Sequence, residues 1–336
     1  MKKRLIWVCL ALMLIVGLMS GCGAAPAGNG NTENEGLVDL ENETAPEELE
    51  LGEIPDEGVP LAEGPVLSLL SAPVASGTLT KSNASATIDY SNTQDGYIMV
   101  SWTGGGTPKI KVQVKGPSGT AYNYNLRTDG QYETFPLSDG SGSYTVGVYK
   151  NVSGTQYSTV VTQNMDVRLT DEFGPFLRSN QYVNYTAQSA AVAKAAELCA
   201  GAGGNLDKVS KVYEYVINNT TYDKQKAATV QSGYLPNVDD TLATGTGICF
   251  DYAALMCAML RSQGVPVKLI VGYTGSAYHA WINVYSETEG WIEGQIYFNG
   301  QEWKLMDPTF ASSGGNSESI RQYIGNGANY SAKYQY

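Results

Sequence analysis

Two textures meet near residue 170, and their contrast limits the possible folds more than any other feature of the chain. Before it, short runs alternate or are β-branched: Ala86–Tyr90, Gly96–Trp102, Lys109–Val114, Ser143–Tyr149 and Asn164–Leu169. Turn formers separate them at Gly104–Gly106, Gly116–Gly119 and Asp139–Gly142. That spacing predicts a β-sandwich of about seven strands over residues 77–169. After it, Ser189–Ala200 is Ala-rich and helical. Val209, Val212, Tyr213, Val216 and Ile217 then recur at i, i+3, i+4, i+7 and i+8, one apolar stripe of a helix that Asn205 would cap. The expectation is an α+β chain, an all-β sandwich followed by a mixed domain over residues 170–336.

The first 76 residues follow neither pattern. Lys2, Lys3 and Arg4 precede an almost unbroken apolar run from Leu5 to Leu18, closed by Ser20-Gly21-Cys22. The run is too short for a comfortable membrane span and reads as a secretion signal over residues 1–21. Cys after Ser-Gly is similar to a bacterial lipobox, which implies lipidation of Cys22 and a membrane-anchored protein outside the cytoplasm. Residues 22–76 are rich in Gly, Asn, Glu and Pro and read as a disordered acidic tether.

Charge supports that division. The net charge is −12, yet Gly28–Val66 alone holds twelve of the 33 acidic residues and no Lys or Arg. From Leu67 onward, 21 acidic residues face 18 basic ones, so the body is nearly neutral. A basic face for nucleic acid is not expected. One histidine and no C-x-x-C pair argue against a zinc site, and no dinucleotide loop, P-loop or G-x-S-x-G elbow occurs. No metal or cofactor is expected.

Residues 245–263, GTGICFDYAALMCAMLRSQ, carry the chemistry. Gly245 and Gly247 punctuate a turn. Ala253, Met256, Cys257 and Leu260 share a helical face. Gly264 suits the position after a helix, and Pro266 stops it. Cys249 therefore falls in the first turn, where free N–H groups and the positive dipole end favour a thiolate. The sole histidine, His279, lies in the strand-like Tyr278–Val284, after another strand candidate, Val267–Tyr273. Asp307 closes a strand-like run, Trp303–Asp307, before Pro308. A carboxylate there could orient His279 while the other ring nitrogen faces Cys249. Cys199 and Cys257 read as structural, with a disulfide between them left open. The stretch from about 223 to 245 reads as a loop, and Asp223 and Asp251 as loop or helix-start residues.

The order of Cys at a helix start, His279-Ala280-Trp281 on a strand, then Asp307-Pro308-Thr309 resembles the transglutaminase-like superfamily, whose core is similar to that of papain-type enzymes. Leu260–Val267 resembles the family's "LRxxGIPA" passage, and Val216 to Asp223 its preceding helix end. The likeness covers roughly residues 185–312. It implies Cys249 as nucleophile, His279 as base then acid, Asp307 as orienter, and Trp281 as a wall of the substrate site. It also implies a thioester formed from a carboxamide or peptide carbonyl. The substrate would be a protein or a peptidoglycan stem peptide, released to water by a protease or amidase, or to an amine by a transglutaminase. The reading from another class is a non-catalytic scaffold lipoprotein whose β-sandwich binds a partner.

Overall fold

The structure is a computed structural model that describes residues 38–40, 72–288, 290–293 and 330–336. Asp307 and the 303–310 run lie outside the described residues, as do residues 1–37, Cys22 among them.

The strand-rich half forms two antiparallel sheets. Its strands are β1 (Val38–Asp39), β2 (Thr80–Ser82), β3 (Ala86–Asp89), β4 (Tyr97–Trp102), β5 (Ile110–Lys115), β6 (Ala121–Leu126), β7 (Glu133–Pro136), β8 (Gly142–Ser153) and β9 (Gln156–Val167). One sheet has the order β2-β3-β4-β7 and the other β1-β9-β8-β5-β6. Consecutive strands therefore change sheets between β1 and β2, β4 and β5, β6 and β7, and β7 and β8, with a Greek-key path from β4 to β8. Ile88, Val100 and Phe135 of one sheet share a core with Val112, Tyr124 and Val146 of the other. Alternation puts these residues inward at every second position.

The strands read from the sequence are present, with two differences. The runs at 143–149 and 164–169 belong to one long hairpin, β8 and β9, which turns at Gly154 with φ +54°. β6 and β7 carry weak local signals and form because Val112–Tyr124 and Ile98–Phe135 pairing supplies them with partners.

The tether expectation needs one correction. Val38 and Asp39 pair with Tyr157 and Gln156 as an edge strand. Leu40 is 1% exposed, packed with Tyr149 and Tyr157. An apolar side chain among acidic neighbours finds this seat only because the β8–β9 hairpin projects far enough to offer an unpaired edge.

The second half contains α1 (Ala190–Leu198), α2 (Asn205–Asn219), β10 (Thr221–Tyr222), α3 (Lys224–Thr229), α4 (Val238–Thr244), β11 (Thr246–Gly247) and α5 (Cys249–Ser262). After them come β12 (Val267–Thr274), β13 (Ala277–Ser286), β14 (Gly290–Ile292) and β15 (Tyr330–Gln335). The last four form one antiparallel sheet in the order β14-β13-β12-β15. Asn205 is the first residue of α2 rather than its cap, and its amide reaches the Tyr285 carbonyl at 3.4 Å. The stretch 223–245, expected as a loop, holds α3 and α4. Asp223 and Asn237 cap them, accepting from the backbone N–H groups of Lys226 and of Asp239 and Asp240.

All fourteen residues of α5 are buried, more than the single apolar face expected. α1, α2 and α4 cover one side of it, and β12 and β13 the other. Its end is sharp. Gly264 sits at φ +78°, its N–H donates to Arg261, and Val265 donates back to Leu260, the double closure of a Schellman turn.

Among the described residues, Arg261 is the largest fully buried side chain. It donates to the carbonyls of Val267 (3.0 and 2.7 Å), Arg178 (2.8 Å) and Tyr336 (2.6 Å). It thereby ties α5, β12, the segment after the sandwich and the end of β15 together. Tyr336 in turn sits edge-on to Tyr124 and Tyr182. The aromatic core is thus continuous between the strand-rich half and the α5 half.

Candidate active site

Cys249 is the first residue of α5 and is 3% exposed. Ile248 stands at the cap position, and its side chain has no oxygen to offer the first-turn N–H groups. A Ser, Asp or Asn there would occupy donors that a developing negative charge at Cys249 could otherwise use. The helix start is held from the other direction. The Asp251 carboxylate, fully buried, accepts from the Ile248 N–H at 2.9 Å. The same carboxylate receives Lys226 Nζ at 2.6 Å and the Tyr234 hydroxyl at 2.5 Å. Lys226 also donates to the Tyr234 oxygen at 2.7 Å and lies over its ring. Burial pushes the Tyr234 phenol well above its usual range, and the hydrogen bond to Asp251 adds to the rise.

Two backbone features explain the glycines and the Tyr-Asp pair before the cysteine. β10 and β11 form a short parallel bridge, Thr221 to Thr246 and Tyr222 to Gly247, and Asp223 N–H donates to the Gly247 carbonyl at 2.9 Å. The end of α2 is thus pinned beside the residues that lead into Cys249. A Cβ on Gly247 would stand 2.7 Å from that of Asp251, so only glycine lets the strand pass the buried carboxylate. Phe250 packs on Tyr182 with ring centroids 5.4 Å apart, and Tyr182 stacks on Tyr124 of the sandwich at 5.5 Å.

His279 lies on β13, opposite Gly272 of β12, and is 2% exposed. Its ring stacks against Trp281 at 6.2 Å and meets Tyr330 at 6.4 Å. Trp281 is itself buried and edge-on to Tyr330. Gly272 gives these rings room, since a Cβ there would stand 2.9 Å from the Trp281 ring. A bulge between Val271 and Gly272 in the pairing with β15 distorts the sheet at this point.

α5 packs against β13, so Cys249 and His279 stand on two elements in direct contact. Strand parity refines that placement. Ala280, Ile282 and Val284 join the core shared with α5, while His279, Trp281 and Asn283 take the alternate positions.

Cys199 and Cys257 are free thiols, and the disulfide left open by the sequence is not formed. Burial pushes Cys257 up to about 12 and Cys199 up to about 11, the range of inert structural thiols. Asp251 is a helix-start residue as read. No local signal points to Lys226 and Tyr234 joining it, because both lie in the stretch expected to be loop. Among the described residues no cluster of His, Cys, Asp or Glu could hold a metal, and no helix is long and apolar enough to cross a membrane.

Comparison with known proteins bears on the same segment. The uncharacterised protein YebA of Bacillus subtilis is 30% identical over 112 residues, which cover 31% of this chain and 15% of that protein. A protein-glutamine gamma-glutamyltransferase of Pseudomonas aeruginosa is 31% identical over 70 residues, covering 16% of this chain and 10% of the relative. The chain thus spans only a small part of either. A solved structure from Cytophaga hutchinsonii, described as a candidate cysteine protease, shares 19% identity over 63% of this chain and 78% of that one. Its TM-score of 0.32 is too low to add to the argument. The family model of the transglutaminase-like superfamily matches residues 192–308, from α1 through α5 and the β12–β13 hairpin to just beyond Asp307. That segment of the chain is similar to the transglutaminase-like superfamily.

Proposed function

We propose that the protein is a cysteine-dependent acyl-transfer enzyme that cleaves amide or peptide bonds. Cys249 is the nucleophile, His279 the base and then the acid, and Asp307 the group that orients the ring. The observation that carries this reading is Cys249 as the first residue of a buried helix whose cap cannot satisfy the first-turn N–H groups. That helix packs on the strand bearing the only imidazole in the chain.

In this reading His279 takes the thiol proton and the sulfur adds to the substrate carbonyl. The Cys249 N–H donates to the oxyanion. The amine leaves with the proton from His279, and a thioester remains. Water, deprotonated by His279, then releases the acid and the free thiol. Trp281 walls the substrate channel and fixes the His279 plane.

The test is mass spectrometry of the intact protein with peptide and glutamine-donor substrates, wild type against Cys249→Ala. An acyl adduct on Cys249, absent in the variant, is expected. Turnover by Cys249→Ala at the wild-type rate would end the proposal. A second reading, transfer to an amine, is favoured by the stretch shared with the Pseudomonas glutamyltransferase. A primary amine added to the same assay separates the two by the mass of the product. The lipobox-like Ser20-Gly21-Cys22 supports a lipid-anchored protein outside the cytoplasm, which would put protein and peptidoglycan substrates within reach. Cys22→Ala should then leave the membrane fraction.

A further inference from the structure

The α3–α4 region carries a charged residue that the reaction scheme does not use. Asp251 is a buried carboxylate two residues after the proposed nucleophile, in the same helical turn. It is well placed to hold the helix start, since it accepts from Ile248 N–H. Its charge acts the other way on chemistry. A buried anion in the first turn of α5 offsets the dipole and opposes ionisation of a neighbouring thiol. Lys226 answers this. Its ammonium meets Asp251 at 2.6 Å, the carboxylate fully buried and the lysine 30% exposed. Tyr234 closes the cluster by donating to the other carboxylate oxygen and bonding Lys226. Lys226 is held in turn by Asp223, which caps α3 by accepting its backbone N–H at 2.8 Å.

We propose that Lys226, with Tyr234, is a positioning residue that clamps Asp251 and cancels its charge, so that the first turn of α5 is held rigid without suppressing the Cys249 thiolate. This rests on the reading of Cys249 as nucleophile. Among the described residues the titratable groups around this turn are Asp251, Lys226 and Tyr234, with Asp223 capping α3 and Asp240 on α4, while β13, which packs on α5, carries His279. Lys226 is the single cation among the described residues that contacts Asp251. A solely structural lysine would affect stability and leave the thiol titration where it was.

The experiment reads the pH midpoint of Cys249 alkylation by iodoacetamide in the full-length protein, site by site by mass spectrometry. Ultraviolet thiolate absorbance, taken as the difference from each variant's Cys249→Ala counterpart, supplies the same midpoint without reagent access. Lys226→Met should raise it by about one pH unit, a roughly tenfold slower reaction on the acid side. Asp251→Asn added to Lys226→Met should bring it back to within a few tenths of a unit, because the uncompensated charge is gone. Lys226→Arg should stay near wild type. An unchanged midpoint in Lys226→Met overturns the proposal. If that variant does not fold, Asp251→Asn alone decides. With Lys226 left in place its midpoint must fall below wild type, and an unchanged or raised value overturns the proposal. A wild-type midpoint like that of free cysteine, insensitive to His279→Ala, would instead defeat the nucleophile reading. The Lys226 shift is read against wild type in either case, so the two failures are distinguishable.

Discussion

Replacing Arg261 by methionine should destabilise the protein by about 3 kcal/mol, although it removes a buried charge. The guanidinium is fully buried, and all its described hydrogen-bond partners are main-chain oxygens, those of Val267, Arg178 and Tyr336. Burial lowers its pKa, opposed by Cys257 and Tyr185. Two effects compete. Methionine fills much of the same volume and relieves a desolvation penalty of several kcal/mol. Against that, three main-chain oxygens, those of Val267 and Tyr336 in buried bonds and that of Arg178 in a part-buried one, lose charge-assisted bonds, and each buried one costs about 1–3 kcal/mol when left unsatisfied. The Val267 oxygen loses most, because it accepts from both Nε and Nη2 of Arg261, at 3.0 and 2.7 Å. Leu269 N–H still reaches the Tyr336 oxygen, so that group is only partly orphaned. The balance is a net loss of about 2–4 kcal/mol. Urea unfolding followed by far-ultraviolet circular dichroism and by tryptophan fluorescence measures it. Arg261→Lys should recover little, since a single ammonium cannot span three carbonyls. A midpoint for Arg261→Met within about 0.5 kcal/mol of wild type would refute the reasoning, and would mean that desolvation relief outweighs the carbonyls.

Other consequences can be checked separately. Gly272→Ala forces a Cβ toward the Ser331 carbonyl and to 2.9 Å from the Trp281 ring. It should cost about 2 kcal/mol and disturb β15, seen as faster amide exchange over residues 330–335. Leu40→Asp places a charge between Tyr149 and Tyr157, so the β1 edge should detach. Protease cutting near residue 40 should rise while the urea midpoint of the body changes little, and unchanged cutting would contradict the docking. The buried thiols give a pH effect of fixed sign. Their folded pKa values, about 12 and about 11, lie above the ordinary 9.0. The neutral thiols therefore stabilise the fold fully below about pH 9, and this is lost as pH rises toward 11–12. The slope is up to about 1.4 kcal/mol per pH unit for each thiol. Cys199→Ala with Cys257→Ala should flatten the fall of the urea midpoint between about pH 9 and 11, whatever the variants cost at neutral pH.

What could be read from residues alone was whatever chemistry acts over one turn or one hairpin. The start of α5 follows from Gly245-Thr246-Gly247 and an apolar run, and its end from Gly264 before Pro266. The β12–β13 hairpin follows from alternation around Gly275. The order of Cys249, His279 and Asp307 was legible too, because residue type and sequence order survive without coordinates. So was the sandwich, since inward positions recur every second residue in β3, β4 and β5. Tertiary structure decided the contacts between residues far apart in sequence, where no local pattern exists. Lys226 finds Asp251 twenty-five residues on. Arg261 finds Tyr336 seventy-five residues on. Leu40 finds the β8–β9 edge more than a hundred residues away. In each case a polar or apolar group is buried only because the fold brings its partner to it. The unsatisfied carboxylate, carbonyl or exposed leucine that would result otherwise is a cost that only the assembled core reveals.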